Sequence, residues 1–142
     1  MMAPPTLRRV GLVACSKSKR TEAALAQDLY QGHLFRLARQ VAERDCDQWG
    51  ILSAEHGLVL PGQVLAPYEK TLQHMRAQER RDWADATYAD LVEHFGRNVL
   101  YVAYAGQLYR EALLGLTFEA PLAGLGIGRQ IQALQRMLRE QA

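Results

Sequence analysis

The sequence predicts an α/β fold: one three-layer domain around a mostly parallel sheet of about four strands. Three observations carry that expectation. Apolar runs at residues 10–14, 49–53 and 98–104 each empty into a short polar or glycine-bearing loop. Segments with apolar residues at helical spacing separate the runs, as at Leu34, Leu37, Ala38, Val41 and Ala42. Strands alternating with helices imply parallel pairing through right-handed crossovers.

Taken in order, residues 1–8 (MMAPPTLR) are Pro-rich and read as a short disordered lead, with the domain spanning 9–142. Residues 10–14 (VGLVA) form a run short enough for a strand buried on both faces. The loop CSKSK follows at 15–19. One amphipathic helix is expected from near 23–28 to 44 or 45. A second strand is WGILS at 49–53, emptying into Ala54, Glu55, His56 and Gly57. Residues 58–68 carry two prolines and a Pro-Gly pair, and read as an irregular excursion. A long helix over 76–95 has Ala84, Thr87, Tyr88, Leu91 and Phe95 along one face. Arg76, Arg80 and Arg81 crowd its start, where cations oppose the macrodipole, so acidic neighbours or a bound polyanion should compensate them. Gly96 ends that helix. NVLYVAY at 98–104 is the third strand, 107–114 a short helix, and 117–120 a brief fourth strand. A final helix keeps Ile127, Ile131, Leu134 and Leu138 at helical spacing.

Composition narrows the function classes. With 49% hydrophobic and 23% charged residues over 142 positions, the chain can bury a core and is not disordered. A formal charge of +2 permits a nucleic-acid partner through a local basic patch without demanding one. The two cysteines, Cys15 and Cys46, lack a C-x-x-C spacing, which argues against a zinc ribbon or a disulfide scaffold and fits a reducing compartment. The leading apolar run is too short for a signal segment or a membrane span, so a cytoplasmic protein with no membrane partner is expected. Oligomeric state is not legible.

In a sheet of this kind ligands bind at the carboxyl ends of the strands. Four loops should gather there: 15–19, 53–57, 105–107 and 124–130. Cys15, Ser16 and Lys19 in the first could hold an anion, as could Gly106 in the third. Gly124, Gly126 and Gly128 precede a helix, where bare backbone N–H groups and Gln130 can approach a phosphate. Their G-x-G-x-G spacing, late in the chain, is not the dinucleotide pattern. Glu55 and His56 are suited to general acid–base work. Lys19 is either a phosphate clamp or an amine nucleophile. Ser53 closes the second strand, and Tyr68, released by Pro67, could stack on a base or sugar. His33, His74 and His94 stand on expected helices without metal-ligand spacing, so neither a metal nor a cofactor is assigned. Lys19, His56 and Gly126 are expected to border one pocket.

These residues carry a resemblance. C-S-x-x-K (Cys15, Ser16, Lys19), D-L-Y-x-G-x-L-F at 28–35, W-G-I-L-S-A-E-H-G-L at 49–58, Pro67-Tyr68 and P-L-x-G-L-G-I-G-x-Q at 121–130 resemble a bacterial and phage domain of unknown function. That C-S-x-x-K type domain is grouped loosely with the peroxide stress protein YaaA family. Its loop is also similar to one in the core domain of archaeosine synthase, a uracil-DNA glycosylase-like core. Arg20-Thr21 stand where archaeosine synthase has an aromatic, so its substrate is not implied. The resemblance transfers Ser16, Lys19, Ser53, His56, Tyr68 and the 124–130 turn as site residues. It implies a protein directed at nucleic acid or a nucleotide, acting on a nucleobase or an N-glycosidic bond. The alternative is a non-catalytic DNA- or nucleotide-binding module in a stress response.

Overall fold

A computed structural model describes residues 7–140. It is a single α/β domain with a five-stranded, mostly parallel sheet between two helical layers. Strand β1 (Arg8–Ala14) is central, paired in parallel with β3 (Gln48–Ser53) on one side and β6 (Val99–Tyr104) on the other. A brief β7 (Phe118–Glu119) extends the sheet in parallel beyond β6. The fifth strand is β4 (Gly57–Val59), antiparallel to β3, where a polar loop and the start of an irregular excursion are expected from the sequence. Gly57 takes a φ of +74°, and this lets the chain reverse after Ala54, Glu55 and His56 into a tight hairpin. The expected lead of 1–8 lies mostly outside the described residues, and Arg8 is already the first residue of β1.

The expected helix from 23–28 to 45 is instead two pieces. Strand β2 (Ala24–Leu25) pairs with β5 (Val64–Leu65), α1 (Ala26–Leu29) is one turn, and α2 (His33–Asp45) follows. The break falls at Tyr30, whose backbone is extended and bridges Lys19 in antiparallel fashion. The amide of Arg20 donates to the Leu29 carbonyl and that of Gln31 to the Ser18 carbonyl, so the break is a tertiary pairing that local helix spacing does not reveal. Helices α3 (Ala77–Phe95) and α5 (Ile127–Arg139) match their expected spans closely. The 107–114 helix is α4 (Gln107–Arg110) followed by a 3₁₀ turn. At the start of α3, Arg80 donates to the Met75 carbonyl and Arg81 to the Gln78 amide oxygen, so part of the basic cluster is compensated internally.

Alternation along β1 supplies both layers. Val13 points to the face covered by α2 and α5, against Ala38, Val41 and Leu134. Val10 and Leu12 point to the other, against Leu91 of α3. Leu12, Ile51, Leu91 and Leu134 are fully buried, and each contributes roughly 1.5–3 kcal/mol by leaving water. A smaller cluster of Ala54, Leu72, Met75 and Trp83 supports the tip of the β3–β4 hairpin.

Tyr101 of β6 ties off α3. Its buried hydroxyl lies 3.1 Å from the Leu91 carbonyl and 2.7 Å from that of Gly96, two acceptors at the helix end. Burial raises its pKa to about 12. The fold therefore favours the neutral phenol over the unfolded chain, where a tyrosine ionises near pH ~10. That stability is fully present below the unfolded value and is lost as pH rises towards the folded one. Denaturant midpoints of the wild type should fall above pH ~10, and Tyr101→Phe should lose part of that fall. Equal alkaline slopes for the two proteins would remove Tyr101 from the account.

Candidate functional site

The strand order β4-β3-β1-β6-β7 reverses direction at β1: the chain goes from β1 out to β3, then crosses back to β6 on the far side. A crevice of about 340 Å³ opens at this switch point, above the carboxyl ends of β1 and β6. Cys15, Ser16, Gly32, His33, Gly106, Ile127 and Gln130 are among its walls, and among the described residues no carboxylate is. Helices α2 and α5 both begin here. Neither has a side-chain cap or an acidic residue in its first turn, so their leading N–H groups lack intrahelical acceptors and bias the crevice towards negative charge.

The 15–19 loop is the wall between this crevice and a second pocket. Cys15 and Ser16 face the crevice, whereas Lys17 and Lys19 line a basic pocket of about 490 Å³ together with Lys70, Thr71 and His74. Glu69 and Glu79 lie there too, and Glu79 pairs with Lys70 at 3.5 Å. A third hollow of about 300 Å³ holds Glu55 and His56, and shares Lys70, Met75 and Glu79 with the basic pocket. Lys19 and His56 thus border adjoining pockets, while Gly126 borders neither and instead caps α5 beside the crevice. The single pocket expected for the three is divided.

Several hydroxyls expected to meet a ligand are engaged within the protein. Ser16 Oγ donates to the Ser18 carbonyl at 2.7 Å and accepts the Gly32 N–H at 3.2 Å, which ties the loop to the start of α2. Ser53 is wholly buried. Its Oγ accepts the backbone N–H groups of Glu55 (3.2 Å) and His56 (3.0 Å) and lies 2.6 Å from Tyr68 Oη. Trp83 donates to the Ser53 carbonyl at 2.9 Å. Ser53 therefore positions the Glu55-His56 tip and touches no solvent. Gln130 donates to the Leu125 carbonyl at 2.8 Å, bracing the glycine turn. Gly124 (φ +80°) shapes that turn, and Gly124 and Gly128 are exposed away from the crevice walls.

Tyr68 is the hub of the remaining residues. Its hydroxyl lies 2.6 Å from that of Tyr30, and the Lys19 ammonium stands over its ring, 4.5 Å from the centroid. His56 meets the same ring edge to face at 5.3 Å. Lys19 thus covers one face of the ring expected to stack on a base or sugar. Burial, first of all, pushes the Tyr68 phenol well above its ordinary range, with the nearby Cys15 thiol adding to the effect. Burial also lowers the Lys19 pKa, opposed by Cys15 and Glu69. The ammonium donates to the Lys17 carbonyl at 3.3 Å. Cys15 Sγ in turn lies 3.4 Å from Tyr109 Oη. Among the described residues no group of three or more His, Cys, Asp or Glu is placed to hold a metal ion.

Tyr30, Lys70, Trp83 and Tyr109 join the site without having been singled out in the sequence. Only Tyr30 left a trace, in D-L-Y-x-G, where Gly32 interrupts the helical spacing.

Fold and site together define an α/β domain with a crevice at its switch point and a lysine-lined pocket beside it. Residues 10–136 match the family of unknown function DUF6884, and the chain belongs to that family. It is also similar to the uncharacterized protein YfjM of Bacillus subtilis (strain 168), at 28% identity over 94% of this chain and 97% of that one. No solved structure matches the chain. These findings support the domain of unknown function and carry no YaaA or glycosylase relationship. No helix among the described residues is long and apolar enough to cross a membrane.

Proposed function

We propose that this protein binds a nucleotide or a nucleic-acid segment, phosphate first, at the carboxyl edge of its sheet, and acts there on a nucleobase or its N-glycosidic bond. The observation that carries the reading is the carboxylate-free crevice between β1 and β6, flanked by two helices whose first turns hold neither a cap nor an acid. Backbone N–H groups in that setting suit phosphate oxygens. Lys17, Lys19 and Lys70 across the 15–19 loop suit a second anionic group or the backbone leading away.

Lys19 acts in this scheme as a clamp. Its place over the Tyr68 ring favours the protonated amine, whereas a nucleophile must be neutral. His56, exposed at the hairpin tip beside Tyr68, is the group placed to pass a proton to a departing base, with Glu55 next to it.

Lys19→Ala should leave the thermal midpoint nearly unchanged, weaken binding of a single-stranded oligonucleotide, and reduce the salt slope by about one unit. Unaltered affinity and slope would take Lys19 out of the ligand site. Chemistry is read by incubating the protein with damaged and modified oligonucleotides and weighing any released base. Loss of turnover with retained binding in His56→Ala marks an enzyme, and no release from any oligonucleotide marks a binder.

A further inference from the structure

Proton bookkeeping in the buried hydroxyl chain shows an unspent donor. Ser53 Oγ has two lone pairs and both are taken, by the N–H groups of Glu55 and His56. Its proton must therefore be the one shared with Tyr68 Oη at 2.6 Å. Tyr68 and Tyr30 own two further protons, and the 2.6 Å contact between them uses one. Among the described residues the other phenol proton has no acceptor. That free phenol proton is the hydrogen-bonding capacity this chain has left to spend.

Access decides which phenol meets it. Tyr30 is 2% exposed and sealed in the core with Phe35, whereas Tyr68 is half-buried and its ring lies against Lys19, a wall of the basic pocket. The chain can settle with Ser53 and Tyr30 both donating to Tyr68, whose own proton then points elsewhere. Lys19 has spent one of its three ammonium protons, on the Lys17 carbonyl.

We propose that Tyr68 recognises the ligand through its hydroxyl, donating to an acceptor oxygen of a phosphate or nucleobase that sits beside the Lys19 ammonium. This rests on the nucleotide reading above and makes it more specific. Tyr68 is then a donor, held neutral by its surroundings, and Ser53 and Tyr30 orient it by filling its two lone pairs.

The test is calorimetric titration of the intact protein with a short single-stranded deoxyoligonucleotide, for the wild type, Tyr68→Phe and Tyr30→Phe, each checked for cooperative thermal unfolding. Tyr68→Phe should bind about tenfold more weakly, and Tyr30→Phe, which removes an orienting hydroxyl that never meets the ligand, should lose clearly less, about threefold at most. A hydroxyl chain serving only the fold would lower both melting temperatures and neither affinity, and that result overturns the proposal while the nucleotide reading stands. Equal losses of affinity in both variants overturn it as well, because Tyr30 would then matter as much as Tyr68. Failure of the wild type to bind the oligonucleotide, or any mononucleotide tried beside it, removes the nucleotide reading and this inference with it.

Discussion

Gly11→Val should lower the stability of the folded protein by about 3 kcal/mol, at the severe end for an overpacked core. For a domain of this size that is roughly a 9 °C loss of thermal midpoint. Gly11 lies in the middle of the central strand, where α2 crosses closest. A Cβ there would stand 2.9 Å from Ala42 Cβ and 3.1 Å from Cys46 Sγ, before valine adds its two methyl groups. Strand propensity argues the other way, since valine suits an extended backbone better than glycine. The sign of the result therefore separates close packing from propensity. A sharper version is a cycle. Gly11→Ala should cost less in an Ala42→Gly background than in the wild type, because the facing methyl is gone. Equal costs in both backgrounds would mean that the two residues do not meet. Gly62, with no atom within 4 Å of its would-be Cβ, is the control, and Gly62→Ala should be nearly silent.

That close approach explains both what could be read from residues alone and what could not. Strands β1, β3 and β6 were legible because each is buried on two faces and reads as a continuous apolar run. The helical stripes of α2 and α5 were legible for the matching reason, one apolar face each. The misses occur where contacts distant in sequence decide the backbone. Tyr30 sits inside a stretch with acceptable helical spacing, yet it is pulled into extended pairing with Lys19 and buries its ring beside Phe35. Strand β4 has three residues, and its only local signal was Gly57, the residue at which the chain turns.

The site shows the same division. Strand ends and loops were legible, so Cys15, Ser16, Gly106 and Gln130 were placed at the edge where the crevice opens. Side-chain direction was not. The path of the 15–19 loop sends Cys15 and Ser16 to one compartment and Lys17 and Lys19 to another, and no spacing rule for loops foretells that. Tyr68 is legible for its aromatic ring, one face of which carries Lys19, but not for its hydroxyl, which carries the network.

Ser53→Ala should be the second severe change, costing about 2–3 kcal/mol although it deletes a single atom. The lost oxygen is a junction. It accepts two backbone N–H groups that hold the Glu55-His56 turn and donates to Tyr68, at a position with no exposed surface. Truncation leaves the turn's amides without their acceptor and Tyr68 without one of its two donors. Tyr68→Phe should cost less, because Ser53 then keeps both amide bonds and lacks only an acceptor for its own proton. Coupling between the two distinguishes a network from two independent sites. In a Tyr68→Phe background the further loss on Ser53→Ala should be smaller than in the wild type by at least ~0.5 kcal/mol. Strict additivity in denaturant melts would break the chain at the Ser53–Tyr68 link, and with it the argument that Tyr68 has a proton to give away. The turn offers a second readout. Backbone amide exchange at Glu55 and His56 should accelerate in Ser53→Ala and stay slow in Tyr68→Phe, since only the first removes their acceptor. His56 would then lose its place beside Tyr68, so Ser53→Ala should also depress whatever turnover His56 supports, without touching the ligand itself.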